Sequence, residues 1–150
     1  MPNNHFENYI LVVEDNMDDE FLIARALSKV KIPGEIIYIR DGAQAIDFLF
    51  GRGAYQNRNI NHLPRFILMD VKMPKMSGLE VLEKLRLDLR FNSVPVILLS
   101  SSLEDSDLKK AHEICVNSYI HKPIDMESFS EVIQRIGYYW GVLNQTPTSN

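Results

Sequence analysis

Cysteine is almost missing. Cys115 stands alone in 150 residues, so no internal disulfide framework can form. Positive charge is in deficit: 16 Lys and Arg face 20 Asp and Glu, a formal net charge of −4. A nucleic-acid binder would show a basic excess or stripe instead. No apolar run approaches the roughly 18 residues of a membrane span. Residues 1–8 are polar and carry no signal-peptide pattern. Together these absences predict a cytoplasmic protein that touches neither membrane nor nucleic acid. There is no internal repeat or low-complexity tract. With 45% hydrophobic and 24% charged residues, the chain suits one domain with a substantial core.

What is present alternates. Apolar runs suited to strands fall at 9–13, 35–39, 66–70, 94–99 and 118–120, with Pro95 tolerated near the start of the fourth. Between and after them the period changes to that of helices, at 17–30, 43–50, 79–89, 103–116 and 125–143. Leu87 and Leu89 are expected on the third helix, and Leu108, Ala111, Ile114 and Cys115 on the inner face of the fourth. The stretch 51–64 is long for a connection, either a helix extension with a turn or a surface insertion. Strand and helix in strict alternation predict an α/β fold, a five-stranded parallel sheet doubly wound with helices on both faces. The pattern leaves the strand order open.

A parallel sheet brings all carboxyl ends to one edge, where open α/β folds place their ligand crevice. Glu14, Asp15, Asp70, Ser100 and Lys122 meet there. Carboxylates so crowded repel, each pair by about 4 kcal/mol at 4 Å and an effective dielectric near 20. Such a site calls for a cation or for shifted pKa values. An all-oxygen set with no His or Cys favours Mg²⁺. Asp15 and Asp70 are expected as direct ligands, the Lys72 backbone carbonyl as a third, and Glu14 through water. Metal, lysine and serine hydroxyl together suit a phosphoryl group, with Asp70 as the nucleophile. Beyond Asp70, Met73-Pro74 forces an extended turn, and Gly78 is expected to supply a backbone conformation that other residues avoid.

The acid pair Glu14-Asp15, the stretch D-V-K-M-P-K-M-S-G from Asp70 to Gly78, Ser100 and Lys122-Pro123 resemble the receiver domains of two-component response regulators. The likeness runs over about 9–136, leaving a C-terminal extension at 137–150. It implies the flavodoxin-like strand order 2-1-3-4-5. It also implies a single-domain regulator that takes a phosphoryl group on Asp70 from a sensor histidine kinase, for signalling rather than enzymatic turnover. Ser100 and Tyr119 would form the switch pair, and the Lys122–Pro123 peptide would be cis. Two rivals remain open. One is a vestigial receiver acting as an interaction module. The other is a haloacid dehalogenase-type phosphatase, which wants an acid two residues after the nucleophile, where Lys72 stands.

The long 51–64 stretch and the extended last helix resemble the stand-alone regulators paired with bacterial phytochrome-type kinases, which suggests a homodimer. Tyr138, Tyr139 and Trp140 are the interface candidates. Gly137 and Gly141 each cost a helix about 1 kcal/mol, so this end needs something to cover it. The histidines at 5, 62, 112 and 121 show no ligand spacing, Met69, Met73 and Met76 suit packing, and Cys115 is expected in the core.

Overall fold

A computed structural model describes residues 9–102 and 104–146. Among them the strands are β1 (Tyr9–Val13), β2 (Glu35–Ile39), β3 (Ile67–Asp70), β4 (Val96–Ser100) and β5 (Ser118–His121). They form one parallel sheet in the order β2-β1-β3-β4-β5. The helices are α1 (Met17–Ser28), α2 (Gly42–Phe50), α3 (Gly78–Arg86), α4 (Asp105–Glu113) and α5 (Met126–Tyr138). β1, β3 and β4 are buried at every position, which is why they read as continuous apolar runs rather than alternating ones. Alternate residues of these strands feed two separate cores. Leu11, Ile67, Met69 and Leu98 pack with α2 and α3, while Ile10, Val12, Leu68 and Leu99 pack with α1 and α5.

Polar residues mark where helices begin. Asn16, Asp41, Ser77 and Asp125 each accept a backbone N–H from the first turn of α1, α2, α3 and α5. Ser77 and Glu80 complete a reciprocal capping box.

Several helices are shorter than their periodicity suggests. α3 stops at Arg86, and Asp88 caps a 3₁₀ turn at Leu89–Phe91. Phe91 takes the buried position, leaving Leu87 and Leu89 each 84% exposed. α4 stops at Glu113, and Leu103, the expected start of that helix, lies outside the described residues. Leu108 and Cys115 do not face inward: Leu108 is exposed, and Cys115 is exposed in a left-handed turn with φ 62°. The inner face of α4 is carried by Ala111, with Ile114 against the core.

The 51–64 stretch is a pinned excursion with a 3₁₀ turn at Gly53–Tyr55. Arg58 holds it. Its guanidinium donates to the Phe48 carbonyl at 2.9 Å, the Tyr9 hydroxyl at 2.6 Å and the His62 carbonyl at 2.8 Å, and lies 3.9 Å over the Phe48 ring.

α5 runs into a π-helical turn at Tyr139–Leu143. A Cβ at Gly137 would stand 2.7 Å from Leu27 Cδ2, and one at Gly141 3.1 Å from Ile32 Cγ2. The two glycines therefore let the tail sit against the end of α1 and the turn after it, which is the cover they required. Residues 1–8 and 147–150 lie outside the described range.

Candidate functional site

The edge of the sheet delivers the acids as its topology requires. Asp70 ends β3, Glu14 and Asp15 follow β1, and Ser100 ends β4. One carboxylate oxygen from each of Glu14, Asp15 and Asp70 lies within 4.8 Å of the others. Glu14 is only 1% exposed, Asp70 is buried and Asp15 opens to solvent. Such a cluster fits a hard divalent cation, which offers charge to carboxylates that otherwise repel. The protonation of the cluster tells the same story. Burial, and then the Asp70 charge, raise the Glu14 pKa to about 8. Burial also raises Asp70, against the pull of Lys122.

Lys122 reaches into this cluster. Its Nζ lies 3.1 Å from Asp70 Oδ1, 3.2 Å from Glu14 Oε1 and 2.9 Å from Asp19 Oδ2. Burial pushes the ammonium towards losing its proton, but the Asp19 hydrogen bond and the Asp70 and Glu14 charges outweigh it and leave the pKa raised. The expected cis bond is absent: no cis peptide occurs among the described residues, so Lys122–Pro123 is trans. Trans is the lower-energy isomer, and the lysine reaches Asp70 from it.

The Ser100 hydroxyl is turned to its own loop, donating to the Ser102 carbonyl at 3.0 Å and accepting the Ser102 N–H at 3.1 Å. Tyr119, on the neighbouring strand, packs against the α2–α3 core, and its buried hydroxyl has no hydrogen-bond partner among the described residues. Lys72 is exposed just beyond Asp70, its ammonium 3.7 Å from Glu104. Gly78 serves differently than expected. Its backbone is not left-handed; Lys75 takes that conformation instead, with φ 69°. Gly78 is needed for room, because a Cβ there would fall on the Asp70 carbonyl oxygen. The glycine therefore lets α3 start directly beneath the acid.

At the other end of the chain, Tyr138 and Tyr139 are 52% and 50% exposed. Trp140 turns inward onto the α1–α5 core, with its ring 4.8 Å from that of Tyr139.

Asp19 is the site residue that sequence reasoning missed. With Asp18 and Glu20 it is one of three acids in the first turn of α1, where negative charge suits the helix dipole whatever else it touches. The available signal was its place one turn after Asp15, at the same sheet edge.

This arrangement, an acid cluster with a lysine on the carboxyl edge of a 2-1-3-4-5 sheet, matches one family. The response regulator receiver domain aligns with residues 10–134, and the chain belongs to that family, as a response regulator of two-component signalling.

Among its relatives is the probable methanogenesis regulatory protein FilR2 of Methanothrix harundinacea (strain 6Ac). It is 36% identical over 138 residues, spanning 92% of this chain and 86% of that protein. Response regulator Rcp1 of Synechocystis sp. (strain ATCC 27184 / PCC 6803 / Kazusa) is 33% identical over 131 residues, 87% of each chain. The crystal structure of Mn(2+)-bound Rcp1 superposes with a TM-score of 0.87 at 31% identity, covering 95% of this chain and 100% of that one. The phosphorylated cyanobacterial phytochrome response regulator RcpA gives 0.86 at 32% identity, covering 95% and 99%.

Proposed function

We propose that Asp70 is the phosphoryl acceptor of a two-component relay. The observation that carries this reading is the 3.1 Å contact between Lys122 Nζ and Asp70 Oδ1 inside the acid cluster. Mg²⁺ would be held by Asp15, Asp70 and the Lys72 backbone carbonyl, with Glu14 acting through water. A bound ion supplies positive charge to offset the carboxylates and the phosphoryl oxygens. The Asp70 carboxylate attacks the phosphorus of a phosphohistidine and the histidine leaves. Lys122 then donates to a phosphoryl oxygen. Ser100 releases Ser102 and turns to the same group. Tyr119, with its hydroxyl unmatched, supports a role as the second half of that switch. Turnover is not the purpose: Lys72 stands where a phosphatase of the haloacid dehalogenase class would need its general acid.

The donor is a sensor histidine kinase of the cytoplasm. A surface for it lies beside the site. Met17, Phe21, Ile124 and Met126 are exposed there, Ile124 to 98%. A groove of about 350 Å³ between α1 and α5, lined by Leu22, Arg25, Met126 and Ser130, continues that surface. The likeness to RcpA, a phytochrome response regulator, supports a phytochrome-type kinase as the donor. The chain acts as one receiver domain, and the exposed Tyr138 and Tyr139 support pairing of two copies.

Incubation with acetyl phosphate and Mg²⁺ tests the central reading by mass spectrometry. The expected result is a gain of one phosphoryl group, absent in Asp70→Asn. No gain, or a gain unaffected by that substitution, rejects it.

A further inference from the structure

The Lys122 ammonium donates hydrogen bonds to Glu14 and Asp19 and pairs with the Asp70 carboxylate at 3.1 Å. Glu14 and Asp70 belong to the acid cluster; Asp19 does not. Its place is fixed from behind. Asn16 Oδ1 accepts the Asp19 backbone N–H at 2.9 Å, and the Asn16 N–H donates to Glu14 Oε2 at 3.1 Å. Glu14, Asn16, Asp19 and Lys122 thus form a closed ring of hydrogen bonds across the start of α1. The base of the lysine is tied separately, its backbone N–H donating to the Ser100 carbonyl at 2.7 Å. The neighbouring acid Glu20 is engaged elsewhere, 3.3 Å from Arg40 Nε.

When the cluster carboxylates turn to a cation and Asp70 becomes an acyl phosphate, two of the three lysine contacts weaken. The third lies outside the reacting groups and persists. We propose that Asp19 is a positioning residue for phosphoryl uptake: it holds the Lys122 ammonium over Asp70 while Glu14 and Asp70 change partners. This rests on Asp70 being the phosphoryl acceptor. Asp19 touches neither the phosphoryl group nor the cation; it acts through the lysine.

The test follows phosphoryl uptake from acetyl phosphate at saturating Mg²⁺, together with Mg²⁺ affinity by calorimetry and the Lys122 ammonium resonance by NMR. Loss of one charge-assisted hydrogen bond should slow uptake in Asp19→Asn by about tenfold. Mg²⁺ affinity should stay within about twofold, because Asp19 is not a ligand. Asp19→Glu, which keeps the charge, should recover most of the rate. In a Lys122→Gln background, Asp19→Asn should change nothing further. The Lys122 ammonium signal should be protected from exchange in the unaltered chain and should broaden in Asp19→Asn.

Uptake and ammonium signal both unchanged in Asp19→Asn overturn the proposal. So does an equal loss in the Lys122→Gln background, which would mean that Asp19 acts on its own. If the unaltered chain takes up no phosphoryl group, the reading of Asp70 falls and this one with it. Failure of the Asp19 role alone leaves uptake in the unaltered chain intact.

Discussion

Ser100 Oγ and the Ser102 backbone bind each other twice, the hydroxyl donating to the carbonyl at 3.0 Å and accepting the N–H at 3.1 Å. The hydroxyl expected to capture a phosphoryl oxygen is thus committed to its own loop. Capture has to break both bonds and release the β4–α4 connection. Ser100→Ala is therefore expected to retain phosphoryl uptake to within about tenfold, the scale of one neutral hydrogen bond. It should lose the accompanying shift of the Tyr119 ring. Ring resonances with and without beryllofluoride check this; a full Tyr119 shift in Ser100→Ala would contradict it.

Stability should depend on pH in a direction unusual for a carboxylate. Burial and the Asp70 charge raise the folded-state Glu14 pKa from 4.5 to about 8, and Asp70 is raised too. Between those values the folded chain binds more protons than the unfolded one, so stability falls as pH rises. The metal-free protein should lose on the order of 2 kcal/mol from about pH 5 to pH 8 and change little just above. A divalent cation replaces the proton, so the stabilisation by Mg²⁺ should grow over the same interval. Thermal melts in EDTA and in Mg²⁺ measure both trends. A midpoint in EDTA that climbs from pH 5 to pH 8 would be the opposite result.

Arg58 joins the 51–64 excursion to β1 and α2 through the Tyr9 hydroxyl and the Phe48 and His62 carbonyls. Arg58→Ala removes those bonds and the contact with the Phe48 ring, a loss of about 2–3 kcal/mol. Urea denaturation should show it, along with faster proteolytic cleavage within 51–64. Phosphoryl uptake should survive, because the excursion hangs from the amino-terminal ends of β1 and β3, opposite Asp70.

Pairing of two copies through the tail predicts that Tyr138→Ser with Tyr139→Ser shifts the protein to monomer in light scattering, with little change in melting temperature. Both side chains are exposed, whereas shortening the chain at Arg135 would also remove the buried Ile136 and Gly137. An unchanged dimer in the double variant would place the interface elsewhere.

The fold was legible because burial and periodicity agreed. Runs such as Tyr9–Val13 read as strands, and that one is buried at every position. Helix ends were less legible, because competing caps decide them. Asp88 starts a new turn and hands the buried position to Phe91, so Leu87 and Leu89, apolar and in phase, lie in water. Of the site, the acids and Lys122 were legible because topology alone gathers strand ends. The partner of Lys122 on α1 was not, since an acid in a helix's first turn looks the same whether it serves the helix or a neighbour. Gly78 was singled out for the wrong property, because sequence shows that a side chain is missing but not what occupies its place.

The tail's seat against α1 and Ile32 has an optical consequence. Trp140 is the only tryptophan in the chain, half-buried among the α1–α5 residues and edge-on to Tyr139 at 4.8 Å. The indole emission therefore comes from one spot, and excitation of Tyr139 drains into it. Lifting the tail from α1 would move that emission to the red, with no second tryptophan to mask the change.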